Sequence, residues 1–128
     1  MSHRFDLQER LIIVPVRLFG PAGDTIVRFA LDTGASRTLV NTEVMVLLGY
    51  DLAMASDRIE VTTGSGIEFC VRLPVECLES VGRALERFPV LCHTLPPSAQ
   101  IDGLLGLDFF RGCYLGIDLR NGEITVTP

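Results

Sequence analysis

The apolar positions of the chain fall into short, strand-length runs separated by turn-forming residues, a pattern that predicts a mostly β domain. Leu11 to Phe19 is rich in β-branched and apolar residues, Gly20-Pro21-Ala22-Gly23-Asp24 supplies turn chemistry, and Thr25 to Leu31 is apolar again. That is a hairpin. Asp32 to Ser36 is a tight polar loop, after which Asn41 or Thr42 is placed to cap a short helix, Glu43 to Leu48, that Gly49 stops. Ile59 to Thr63 and Ile67 to Leu73 flank Gly64-Ser65-Gly66, a hairpin tip with the freedom of two glycines. Val75 to Leu78 continues the second arm, Arg83 to Cys92 reads as a further strand, and Pro96-Pro97-Ser98 as a loop. Ile101-Asp102-Gly103-Leu104-Leu105-Gly106 precedes a short amphipathic stretch, Leu107 to Arg111. Tyr114 to Leu119 then pairs with Ile124 to Thr127 across Arg120-Asn121-Gly122-Glu123, whose Asn-Gly is a strong hairpin signal. The two halves share a plan: apolar strand, a loop opened by Asp and containing Gly, a short helix, more strand. The whole predicts an all-β fold with two short helices.

Size limits what such a fold can do. At 128 residues, 48% hydrophobic and 21% charged, the chain makes one domain with a core and is too short for two lobes with a cleft between them. Residues 1–10 are polar and read as a loose arm ahead of a domain over 11–128. Mean hydropathy is high at +0.37. The longest apolar run, Val44 to Leu48, is nonetheless far short of the roughly 20 residues that span a bilayer, so no membrane partner is expected. The apolar surplus goes into a core or an interface, which at this size favours self-association. Eleven basic residues, all Arg and scattered, stand against sixteen Asp and Glu for a net charge of −5, which argues against nucleic acid as a partner. The N-terminus, with Arg4, Asp6, Glu9 and Arg10, lacks the apolar stretch of a signal peptide and points to the cytoplasm. Cys70, Cys77, Cys92 and Cys113 fit reduced thiols there; they are too widely spaced for a CxxC metal or redox pair, and no metal or cofactor is expected.

Candidate chemistry concentrates in Phe29-Ala30-Leu31-Asp32-Thr33-Gly34-Ala35-Ser36, which sets one carboxylate at the end of an apolar strand and the start of a loop of small residues. A carboxylate there is costly unless used or paired. Gly34 lets another backbone come close, Ala35 and Ser36 keep the surroundings small, and Thr33 offers a hydroxyl that both donates and accepts. The plainer reading is an Asx-type turn in which Asp32 bonds only its own loop amides. Other candidates are weaker. Cys92 and His93 are adjacent in a strand and so point to opposite faces, His3 reads as a surface residue, and Phe109-Phe110 as packing. Gly64-Ser65-Gly66 lacks the Lys and following helix of a phosphate loop.

The octet, together with Gly103-Leu104-Leu105-Gly106-Leu107-Asp108 and Ile117-Asp118-Leu119, resembles the retropepsin-like aspartic proteases from about Leu11 to Pro128. Three slots of that family are filled in order: Ala30-Leu31-Asp32-Thr33-Gly34-Ala35, the Gly64 to Gly66 tip as the flap, and Leu104-Leu105-Gly106 ahead of a short helix. The helix after the Asp-Thr-Gly loop and the Gly-Leu-Asp ending look closer to cellular retropepsin-like domains, such as those of DNA-damage-inducible proteins, than to retroviral enzymes. The resemblance implies a retropepsin-like closed β-barrel, the acid protease fold, forming half of a two-fold symmetric active site. It also implies an aspartic endopeptidase. That chemistry needs two carboxylates sharing one proton around a water. The chain has a single Asp-Thr-Gly, which Asp102-Gly103 and Asp108 do not repeat, so the second carboxylate comes from a second copy across a two-fold axis.

By resemblance, Asp32 is catalytic, Thr33 bonds across the dimer axis, Gly34 accepts the substrate backbone, and Ala35 and Ser36 complete the active-site loop. Thr63, Gly64, Ser65 and Gly66 cover a peptide bound as an added β-strand, and Leu104, Leu105 and Gly106 support the catalytic loop. Expected partners are a second copy and a peptide or protein substrate, with hydrophobic side chains favoured beside the cut. Retroviral members carry an acidic residue where Ser36 stands and an Arg where Leu107 stands. Arg37 and Asp108 each lie one position further on and are expected to form a substitute ion pair bracing the loop. Another reading is a retropepsin-shaped module that binds peptides or dimerises without cutting. An actin-like phosphate loop over Asp32 to Ser36 fails on size, since that fold needs two large lobes.

Overall fold

The computed structural model describes residues 1–55, 57–64 and 66–128, with the backbone alone at Thr63. In β2 (Ile13–Gly20) Val14, Val16 and Leu18 are buried while Pro15 and Arg17 are exposed, the period-two pattern of a strand with one face on a core. It pairs antiparallel with β3 (Gly23–Leu31) from Ile13↔Ala30 to Gly20↔Gly23, the predicted first hairpin. The last residues of β3, Phe29 to Leu31, are all buried, so both faces of the strand are covered at this end.

Those neighbours include two strands too short to show periodicity. β4 (Leu39–Asn41) and β8 (Gly103–Leu105) pair with each other antiparallel, β8 runs parallel to β3, and β4 runs parallel to β7 (Arg83–His93). β7 pairs with the long β6 (Gly66–Ser80), and β6 closes on β2 through Arg17↔Glu79 to Phe19↔Cys77. The order β2-β3-β8-β4-β7-β6 and back to β2 is a closed barrel. The expected pieces Ile67 to Leu73 and Val75 to Leu78 are one strand, because Pro74 stands opposite Pro89 in register. Neither residue has an N–H to offer, which suits a pairing site where none points at the partner. β5 (Arg58–Thr63) pairs only with β6 and extends that hairpin beyond the barrel.

The barrel is filled by residues including Phe29, Met45, Leu78, Val90, Leu105 and Phe109, with Phe109 edge-on to both Phe88 and Phe110. α1 (Thr42–Leu47) starts where Asn41 accepts the Glu43 amide and stops at Gly49, whose φ is +91°. Tyr50 ties the segment after it to the barrel, donating its hydroxyl to the Phe19 carbonyl (2.6 Å) and accepting from the Glu76 amide (2.8 Å). The second expected helix is a 3-10 turn, Leu107–Phe110, and shorter turns cover Leu52–Met54 and Pro97–Ala99. β9 (Tyr114–Asp118) and β10 (Glu123–Thr127) form the hairpin signalled by Asn121-Gly122. Within the polar segment of residues 1–10, Ser2–Arg4 is a strand, β1, paired with β10. No helix of the described residues is long and apolar enough to cross a membrane.

Candidate functional site

Asp32 follows the last residue of β3 and is held in place by main chain. Its amide donates to the Leu105 carbonyl (3.0 Å) and its carbonyl accepts from the Ala35 amide (3.1 Å). Its Oδ1 accepts from the Gly34 amide at 2.9 Å, so the Asx-type turn is formed. That turn engages one oxygen only: Oδ2 has no hydrogen-bond partner among the described residues. Asp32 is half-buried, and Thr33 and Gly34 beside it are exposed.

The loop rests on the segment after β8. Leu107 donates its amide to the Ala35 carbonyl (2.8 Å), and Leu105 is fully buried beneath. Gly106 is required by close approach: a Cβ there would lie 2.7 Å from the Arg37 carbonyl and 2.9 Å from that of Ala35. Leu104 is half-buried and reaches the groove described below.

The brace expected between Arg37 and Asp108 is not formed, and Arg37 takes part in no ion pair among the described residues. Asp108 bonds Thr38 twice instead, its Oδ1 accepting the hydroxyl at 2.7 Å and its Oδ2 the amide at 3.0 Å. The Thr38 oxygen in turn accepts from the Gly106 amide at 3.1 Å, and Thr38 is fully buried. Adjacent residues of an extended chain face opposite sides. Thr38 turns inward to a satisfied polar network and Arg37 outward to solvent. A neutral hydroxyl beside Leu39-Val40 was the available signal, because an Arg could not be buried there without a costly desolvation.

Asp102 is also committed to the fold. Its Oδ2 accepts the Arg28 amide (2.9 Å), its own amide donates to the Arg28 carbonyl (2.7 Å), and its carbonyl accepts from the Asn41 amide (2.8 Å).

Between the loop and β5 lies a groove of about 400 Å³ that brings Gly34, Ala35 and Ser36 together with Leu104 and Ile59 to Thr62 of β5. Its apolar lining comes from Leu39, Ile59, Val61, Leu91 and Leu104. Thr63 pairs with Gly66 in register, Gly66 has φ +118°, and Gly64 is exposed, while Ser65 lies outside the described residues. His93 Nε2 meets Glu68 at 2.7 Å and Nδ1 meets the Thr94 carbonyl at 2.8 Å, so both ring nitrogens face acceptors. The Glu68 hydrogen bond, then that of Thr94, raises the imidazole pKa above its usual value. Burial pushes the neighbouring Cys92 thiol up to about 11, which leaves it inert. All four cysteines are unpaired.

These features define a known class: a family model for aspartyl protease matches residues 14–109, and the chain belongs to the aspartyl protease family. In structure it is similar to a retropepsin-like aspartic protease from Rickettsia conorii. The two are 16% identical, with 98% of this chain and 88% of that one covered at a TM-score of 0.72. What they share is the retropepsin-like fold. No curated protein matches the chain in sequence.

Proposed function

We propose that the protein is an aspartic endopeptidase that acts as a homodimer, each copy supplying one Asp32. The observation that carries this reading is the state of the carboxylates. Asp32 presents an Oδ2 with no partner among the described residues beside exposed Thr33 and Gly34, at the head of the chain's single Asp-Thr-Gly, whereas Asp108 has both oxygens engaged by Thr38. One chain carries one such loop, so a dyad needs two copies.

With two Asp32 side chains about a water, the ionised one takes a proton from the water as it attacks the scissile carbonyl carbon. The protonated one donates to the carbonyl oxygen, giving a tetrahedral diol. The nitrogen then accepts the proton that the dyad took from the water, and a diol hydroxyl returns its proton to the other carboxylate as the C–N bond breaks, which leaves a carboxylic acid, an amine and the dyad with its one proton. Thr33 is placed to bond across the axis, and Gly34 leaves room for the peptide backbone. The peptide lies as an added strand under Thr63, Gly64, Ser65 and Gly66, with its apolar side chains in the groove between the loop and the flap stem. Leu104, Leu105 and Gly106 hold the loop from below. Four unpaired thiols favour a reducing compartment, and we place the protein in the cytoplasm.

The test is cleavage of a diverse peptide library by wild type and Asp32→Asn from acidic to neutral pH, with mass measured alongside. Turnover is expected to fall at least about a hundredfold in the variant. Activity should fade on both the acid and the alkaline side, as the pair loses its two protons in steps that belong to the dyad. Equal cleavage by both proteins rules the reading out, and a dimer that binds without cutting is a peptide-binding module.

A further inference from the structure

Beside the groove lies a second cavity of about 410 Å³ that shares Ser36, Arg37 and Leu91 with it, so the two adjoin along the loop that follows Asp32. Three guanidinium groups line this second cavity: Arg37, Arg72 and Arg111. Arg72 is neutralised by Asp57 at 2.7 Å. Arg37 and Arg111 are exposed and paired with no carboxylate among the described residues. The cavity's own carboxylate, Asp108, has both oxygens engaged by Thr38. In a chain of net charge −5, two guanidinium groups that make no ion pair among the described residues line one cavity against the single charge of Asp108, over a floor that is apolar from Phe88 to Leu91. Like charges held together repel, and an anion seated between them relieves that repulsion.

We propose that this cavity takes the carboxylate of an acidic side chain on the bound peptide, and that Arg37 is a specificity-determining residue for cleavage beside it. The inference rests on the protease reading above and names a substrate class for the same site. Arg37 stands where the groove meets the cavity, so a Glu neighbouring the apolar residue in the groove lays its methylenes on Pro89 and Leu91 and its carboxylate on the guanidinium fork. The groove's own acid, Glu60, is on the flap strand and does not line the arginine cavity, so the preference is confined to the Arg37 side.

The experiment separates binding from cutting. Fluorescent peptides with a central Phe-Leu pair, carrying Glu in one series and Gln in the other at each flanking position, are titrated against the Asp32→Asn protein. The same pairs are then offered to the wild type for cleavage. At one flanking position Glu is expected to bind about fivefold tighter than Gln at low salt, the upper range for an exposed ion pair, with the advantage fading as salt screens it. Arg37→Ala should equalise the two peptides and Arg37→Glu should turn the preference to Lys. Arg37 is exposed, so neither change threatens the fold. Glu and Gln peptides bound and cut alike overturn this inference and leave the protease reading standing. No peptide bound or cut overturns both.

Discussion

Thr38 is where a single side chain carries the most structural consequence. Its hydroxyl donates to Asp108 and accepts from Gly106 in a fully buried setting. Thr38→Val keeps the shape and leaves a buried amide and a carboxylate short of a partner. We expect a loss of about 1–3 kcal/mol in denaturant melts, and an unchanged midpoint would mean that water replaces the hydroxyl. Asp32→Asn is its counterpart. The Asn oxygen still accepts the Gly34 amide, so the melting midpoint should stay within about 0.5 kcal/mol of wild type while cleavage is lost. A marked drop in stability would recast Asp32 as a structural turn residue. Asp32 was legible because a carboxylate after an apolar strand, followed by Gly, has few structural uses. Thr38 was not legible, because its role depends on Asp108 arriving 70 positions later.

The barrel's elements were legible in proportion to their length. β2, β3, β7 and the β9–β10 hairpin carry enough alternation or turn chemistry to be read directly, whereas β1, β4 and β8 have three residues each and exist only because neighbours supply their hydrogen bonds. The contact between β6 and β7 adds a pH dependence of its own. His93 at the end of β7 meets Glu68 on β6, and that partner raises the folded pKa of the ring above its unfolded value. The stabilisation is therefore fully present below the unfolded pKa of about 6.5 and is lost as pH rises through the folded value. Compared with Glu68→Gln, the wild-type advantage should shrink as pH rises above about 6.5. Its size should be below about 1 kcal/mol, since the two side chains are 33% and 44% exposed. An advantage that grows with alkalinity would show that the pair is not an imidazolium contact.

For the whole molecule, the chain that seemed too short for a cleft is proposed to acquire one by doubling. Mixing supplies the check. Wild type blended with an equal amount of Asp32→Asn should retain about a quarter of the activity of the same total of wild type, because random pairing leaves about that fraction of all-wild-type dimers. About half would be left if each chain worked alone.

Long-range pairing has one more effect, which appears in time. The loop that carries Asp32 is buttressed by Leu105, Leu107 and Asp108, from the last quarter of the chain. At a synthesis rate of about 5–20 residues per second, seconds pass between the emergence of the acid and that of its supports. Contacts of such separation also form late in folding. Before then Asp32 has no fixed geometry. A cell making this molecule would hold the loop around the acid unformed on every nascent chain until the barrel is nearly closed.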